Sequence, residues 1–453
     1  MRIRIEHGTV ICHRRGRPVV LEDHTILIDD GLISACVPAS APAERDADEV
    51  IDASKHLILP GLVNTHHHLY QSLTRGLKCV QDAPLFDWLT RLYDRWSRID
   101  YEAVKAAAQI SIAELLLSGC TTTSDHFYVF PRGSDVTIEA VLEAAESLGI
   151  RIHACRGSMS VGRSAGGLPP DGCTQDEAEI LRDCRRALDR FHDPSAHAMR
   201  RIDLAPCSPF SVSRELLQET ENLARERGAL LHTHAAETLE EQQYCLDRFG
   251  LRPIELLNEV GWLGPGVYLA HCVHLNDADT QLLADTHTGI AHCPCSNMRL
   301  GSGVAPIRAL LDAGARVGLG VDGSSSNDGG HLLAEARQAL LLQRVAKGAG
   351  ALSVAEAFTL ATLGGAAVLN RPLLGNIERG CAADLALYRR DDIALAGAVE
   401  QDPLGAMMLC HVGRADRVLV QGRWVVSDGR ITMLDLPARI EGFNRLVRRA
   451  FRD

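Results

Sequence analysis

No apolar run in the chain reaches the roughly 18 residues that a helix needs to cross a hydrocarbon core, so no membrane span is expected. The opening residues, Met1-Arg2-Ile3-Arg4-Ile5-Glu6-His7, lack the apolar stretch of a secretory signal. Positive charge is in short supply. The formal net charge is −11 and the isoelectric point about 5.9. An acidic surface repels phosphate backbones, and no basic, aromatic groove is evident, so no nucleic-acid partner is expected. The nearest thing to a basic patch, Arg448, Arg449 and Arg452, reads as a solvated helix face. Lysine is scarcest of all: Lys55, Lys78, Lys105 and Lys347 are the only four, with none from 106 to 346. No glycine-rich phosphate turn follows an early strand, which counts against a doubly wound nucleotide-binding sheet. Internal repeats and low-complexity segments are also missing.

What is present is a chain of 453 residues, 46% hydrophobic, enough for one large barrel and a smaller accessory domain. Its 14 cysteines, without a secretory signal, read as reduced thiols in a cytoplasmic protein, most of them small core residues. Residues 1–58 and 373–436 are rich in short strand patterns broken by turn signals such as Asp30-Gly31, and together predict one small β-sandwich domain built from both termini. Residues 437–453 read as a C-terminal helix. Between them, residues 59–372 alternate short β-rich runs (58–65, 121–126, 150–156, 202–207, 230–235, 267–272, 289–293 and 317–321) with longer helical patterns. That alternation predicts a (β/α)8 TIM barrel, an α/β fold whose chemistry sits at the C-terminal ends of the strands.

The strand ends carry the chemistry-bearing residues. The first ends Asn64-Thr65-His66-His67-His68; residues two apart on a strand share a side, so His66 and His68 aim inward together and His67 points away. The fifth ends His232-Thr233-His234-Ala235-Ala236-Glu237, offering His234 as a third ligand and Glu237 as a proton-handling group that need not bind metal. The sixth ends at His271, and His274 beyond it reads as structural. The eighth ends Val321-Asp322-Gly323, a costly place for a charge without a partner, and a metal would serve. Imidazole plus carboxylate suits Zn2+ and admits Fe2+. With no lysine near the fourth strand end, Ala205-Pro206-Cys207-Ser208, a carboxylated-lysine bridge is excluded. One metal bound by His66, His68, His234 and Asp322, with water completing the shell, is the simpler reading. Cys293-Pro294-Cys295 lacks the spacing and the H-x-E partner of the other zinc-deaminase fold and reads as packing.

The segment from Pro60 to His68, with His234-Ala235-Ala236-Glu237, Ala270-His271 and Val321-Asp322-Gly323, resembles the amidohydrolase superfamily in its cytosine-, guanine- and triazine-processing branch. Segments 64–75, 117–126, 156–170, 205–213, 291–300 and 318–335 are most similar to the 8-oxoguanine deaminase group, which is often described as hydroxyatrazine ethylaminohydrolase-like. The resemblance implies metal ligands at His66, His68, His234 and Asp322, Glu237 as proton shuttle, and His271 hydrogen-bonding the attacking water or the substrate. Gln71 and Trp88 match purine-contacting positions of a related guanine deaminase, whereas that enzyme's fourth-strand arginine has no counterpart in Pro206-Cys207-Ser208-Pro209. This departure fits a ring edge other than guanine's. His126, Arg156 and Ser208 stand at strand ends and either read the ring edge or are structural. The implied activity is zinc-dependent hydrolysis of an exocyclic amine from a heteroaromatic base, 8-oxoguanine first, with triazine amino- or chlorohydrolysis and guanine or pterin deamination as alternatives. Asp322 would accept the water's proton, and Glu237 would deliver one to the ring nitrogen beside the amino-bearing carbon. The partners implied are a small heteroaromatic molecule and water; family members are often oligomers, so a homo-oligomer is also allowed.

Overall fold

The computed structural model describes residues 1–41 and 46–451 of the chain; Arg452 lies outside them. Eight parallel strands close into a barrel: Leu62–Asn64, Cys120–Phe127, Arg151–Ser158, Arg200–Pro206, Leu231–Ala235, Val267–His271, Gly289–His292 and Arg316–Leu319. Closure is made where Leu319 pairs with Asn64. These strands are almost continuously buried, as expected of parallel strands enclosed by side chains within and helices without. Four of the helices between them start on side-chain caps that accept a backbone N–H of the first turn. Asp100 caps Tyr101–Leu117, Asp176 caps Glu177–Phe191, Ser213 caps Arg214–Arg227 and Thr238 caps Leu239–Phe249.

The run 58–65 divides at Gly61. Residues His56–Pro60 form a strand of the accessory sheet, antiparallel to Leu385–Arg389, and the barrel begins only at Leu62. Gly61 is required there because a Cβ would lie 2.1 Å from Thr121 Oγ1. The accessory domain is one continuous nine-stranded sheet from both chain ends. It folds about an apolar cluster that includes Ile5, Val10, Ile26, Ile33, Ile58, Leu385 and Leu419. Arg17–Asp29 is a single long strand whose pairing with Arg2–Arg14 shifts register near Gly8. A C-terminal helix, Leu436–Ala450, buries Phe443. Among the described residues no helix is long and apolar enough to cross a membrane.

A buried ion pair ties the two units together. Arg151, at the start of the third barrel strand, is fully buried; its Nε and Nη2 each lie 3.1 Å from a carboxylate oxygen of Asp384. The remaining donors reach the carbonyls of His197 and Ala198 and the side chain of Gln421. Such a pair contributes through geometry, and removing one partner strands the other in a low-dielectric interior. Arg151→Ala is therefore expected to lose about 3–5 kcal/mol of stability, read by denaturant unfolding. A loss below about 1 kcal/mol would show that the clasp is not holding the units together.

Candidate metal centre and active site

The first strand ends at Asn64, and the chain continues extended through His66, His67 and His68, all buried. His66 Nε2 and His68 Nε2 each lie 3.4 Å from Asp322 Oδ1. His68 Nε2 lies 3.1 Å from His234 Nε2. His67 contributes no atom to this cluster. Three turns that present the site hold non-glycine residues in the left-handed region: Ala236 (φ 52°), His271 (φ 73°) and Asp322 (φ 61°). Strain of this kind persists only where the surroundings over-determine it.

Tautomer logic tests whether the cluster fits a metal. His68 Nδ1 lies 2.6 Å from the carbonyl of His126, and His234 Nδ1 lies 2.6 Å from the carbonyl of Cys207. A carbonyl only accepts, so both Nδ1 atoms carry the proton. Burial pushes both rings' pKa down and keeps them neutral. Two bare Nε2 lone pairs therefore face each other at 3.1 Å. His66 Nε2 is buried with no hydrogen-bond partner. Asp322 accepts from the Gly323 N–H and the Ser326 hydroxyl, contacts that favour its carboxylate form. His66, His68 and Asp322, with donor atoms all within 4.8 Å of one another, and His234 beside His68 fit a divalent cation.

Beside them stand two further buried titratable groups, His271 and Glu237. His271 Nε2 is 3.5 Å from Glu237 Oε2 and 3.9 Å from Asp322 Oδ2, and its Nδ1 is 2.9 Å from Asn297 Oδ1. Burial pushes the Glu237 carboxyl up to about 7, with His271 opposing and Asp322 and Glu241 adding to the rise. Burial disfavours charge on His271 too, but the facing carboxylates of Glu237 and Asp322 outweigh it and raise its pKa. Ser302 Oγ donates to Glu237 Oε1 at 3.3 Å.

His68, His234, Glu237, His271 and Asp322 line a cavity of about 30 Å³, walled by Leu85, Trp88, Leu89, Tyr128, Phe210 and Leu300. A larger cavity, about 560 Å³, lies at the opposite end of the barrel, beside Ile150, Ile152 and Met199, and holds none of the site residues. Of the five expected ring contacts, Gln71 and Trp88 line the active cavity, and the Gln71 Oε1 is buried without a partner. The other three stand outside its wall. Arg156 is committed to Asp183 (2.6 Å) and Gln175 (2.9 Å), with its guanidinium over the Phe130 ring, so it is structural. His126 donates to the Ala205 carbonyl at 3.0 Å and stacks behind His234. Ser208 bonds Ser211 at 2.8 Å. Sequence reasoning passed over Tyr128, Phe210, Leu300 and Ser302, for which a single sequence carries no signal.

A closed parallel barrel with histidines and an aspartate at its strand ends defines a metal-dependent barrel hydrolase. The amidohydrolase family matches residues 57–425, and the chain belongs to that family. It is 46% identical to an 8-oxoguanine deaminase of Pseudomonas aeruginosa, over 92% of both chains. It is 36% identical to an isoxanthopterin deaminase of an unknown prokaryotic organism, over 91% of this chain and 89% of that one. Among solved structures it is similar to a zinc complex of atrazine chlorohydrolase from Arthrobacter aurescens TC1. There the TM-score is 0.94 and the identity 34%, with 98% of this chain and 100% of that one covered.

Because the Glu237 carboxyl is raised from 4.5 to about 7, the fold favours its protonated form. That contribution to stability is complete below the unfolded value and is lost as pH rises through about 7. Metal-free Glu237→Gln is expected to exceed the metal-free parent at pH 8 by up to about 3 kcal/mol, and to converge with it near pH 4–5. Urea unfolding at the two pH values reads the difference; equal stabilities at pH 8 would contradict a perturbed carboxyl.

Proposed function

We propose that the protein is a mononuclear zinc aminohydrolase of heteroaromatic bases, with 8-oxoguanine as substrate and urate and ammonia as products. The observation that carries this is the meeting, at one end of the barrel, of three bare imidazole nitrogens and a carboxylate with a carboxyl, Glu237, poised near neutrality. His66, His68, His234 and Asp322 would hold the ion. When bound, zinc supplies a nucleophile by lowering the pKa of water from about 15.7 toward about 7. Asp322 accepts a proton from the attacking water, and His271 Nε2 orients it. The Glu237 carboxyl carries a proton to the ring nitrogen next to the amino-bearing carbon, where negative charge would otherwise build up. The amine, once protonated, leaves as ammonia. Gln71, with its unpaired Oε1, and Trp88 contact the ring. The 46% relative supports 8-oxoguanine. The likeness to atrazine chlorohydrolase supports a second reading, attack on a triazine at the same site. The 14 free cysteines favour a reducing, cytoplasmic setting.

Ammonia release by the zinc-loaded enzyme from 8-oxoguanine, guanine, isoxanthopterin and hydroxytriazines separates these readings. Preference for 8-oxoguanine is expected, preference for a triazine would favour the second reading, and no release from any with zinc bound would refute both. Glu237→Gln is expected to keep zinc and lose about 10²–10⁴-fold in kcat. Undiminished turnover in that variant would remove the proton-shuttle role.

A further inference from the structure

We propose that His232 is the positioning residue that fixes the tautomer of the metal ligand His66 and thereby sets the affinity of the site. The inference rests on the metal assignment above and goes beyond it to a residue outside the ligand set.

The three ligand imidazoles are supported differently. His68 and His234 send their Nδ1–H groups to main-chain carbonyls, whose acceptor character no substitution alters. His66 relies on a side chain: its Nδ1 lies 2.8 Å from His232 Nε2. Either nitrogen of such a pair can donate, so this contact alone leaves the His66 tautomer open. The far side of His232 decides it. His232 Nδ1 lies 2.8 Å from the carbonyl of Tyr268, which can only accept, so Nδ1 is the protonated atom of His232. In the neutral ring its Nε2 is then an acceptor, His66 Nδ1 must donate to it, and His66 Nε2 is left bare on the side of His68, His234 and Asp322.

The His232 ring is itself held. It is fully buried and stacks on Tyr268 with centroids 4.0 Å apart and planes 11° from parallel. The Tyr268 hydroxyl donates to Asp203 at 2.9 Å, which also accepts from His153 Nδ1 at 3.0 Å. A ring so fixed cannot swing to offer its other nitrogen. Without the His232 acceptor, His66 either buries an unpaired Nδ1–H or moves its proton to Nε2, the atom the metal needs. Either outcome weakens binding, and losing a partner of this kind typically costs 10–100-fold in metal affinity.

Three variants isolate the acceptor. His232→Phe keeps a ring stacked on Tyr268 and removes both nitrogens. His232→Gln places an amide oxygen near the lost Nε2. His232→Asn, one methylene shorter, reaches the Tyr268 carbonyl but not His66. Zinc dissociation constants are measured by chelator competition, with thermal midpoints of the metal-free proteins alongside. Phe and Asn are expected to weaken zinc about 10–100-fold with metal-free midpoints close to the parent's, and Gln to restore affinity to within about threefold. A Phe variant that binds zinc as tightly as the parent overturns the proposal. So do Asn and Gln variants of equal affinity, a comparison that decides the matter even where Phe fails to fold. A parent that binds no zinc overturns the metal assignment and this inference together. A parent that binds zinc but releases no ammonia contradicts only the deaminase reading.

Discussion

Two imidazole nitrogens, both stripped of protons by main-chain carbonyls on their far sides, face each other at 3.1 Å in the mouth of the barrel. Nothing in the protein relieves that approach. Their lone pairs repel, the neighbouring His66 Nε2 has no partner, and the Asp322 carboxylate adds negative charge to the same point. A protein that spends buried polar atoms in this way needs a cation to make the arrangement favourable, and donors of this kind favour zinc. The rest of the site follows from that point. Glu237 and His271 stand just beyond the ligands, so their protonation is set by the same crowd of charges.

The fold makes such crowding possible because the ligands come from strands far apart in sequence but adjacent in a closed sheet. The eighth strand pairs with the first, and the fifth with the sixth. Strand ends meet there without a single loop having to carry all the donors. The accessory sheet lies elsewhere, and the buried Arg151–Asp384 pair attaches it at the N-terminal end of the third strand, away from the chemistry. Stability and function are thus placed at opposite ends of one barrel.

Much of this was legible in the amino-acid order. Alternating apolar runs specify the barrel, and the His66/His68 spacing of two places both rings on one side because strand side chains alternate. Asp322 stood out because a lone charge at the end of an apolar strand needs a partner. What the order could not convey was where long side chains go once folded. Arg156 lies near the end of the third barrel strand, yet its guanidinium finds Asp183, a partner 27 residues away that no local pattern links to it. Phe210, Leu300 and Ser302 belong to loops whose path depends on packing between elements. The break at Gly61 was hidden because His56–Pro60 and Leu62–Asn64 are both apolar and extended; only the close approach to Thr121 separates them.

The loops that present the site share one device that its ligands do not explain: a buried carboxylate spent on anchoring backbone. Asp125 accepts the N–H of Leu69, directly after His68. Glu241 takes the N–H groups of Ala236 and Glu237, both at 2.8 Å, and so grips the strained turn that aims the proton-handling carboxyl. Glu335 accepts the N–H of Cys295, two residues before the Asn297 that orients His271, and bonds Asn327, which reaches back to the carbonyl of Val321 beside Asp322. Burial drives Asp125 and Glu335 up to about 7 and raises Glu241 as well, so each anchor carries a real desolvation penalty. A neutral amide in the place of Glu241 could accept only one of the two N–H groups. Bidentate acceptance by a buried carboxylate fixes both the position and the direction of the turn. That is the requirement the proposed chemistry places on its supports, because a carboxyl that hands a proton to a substrate ring must be held to within about 0.5 Å.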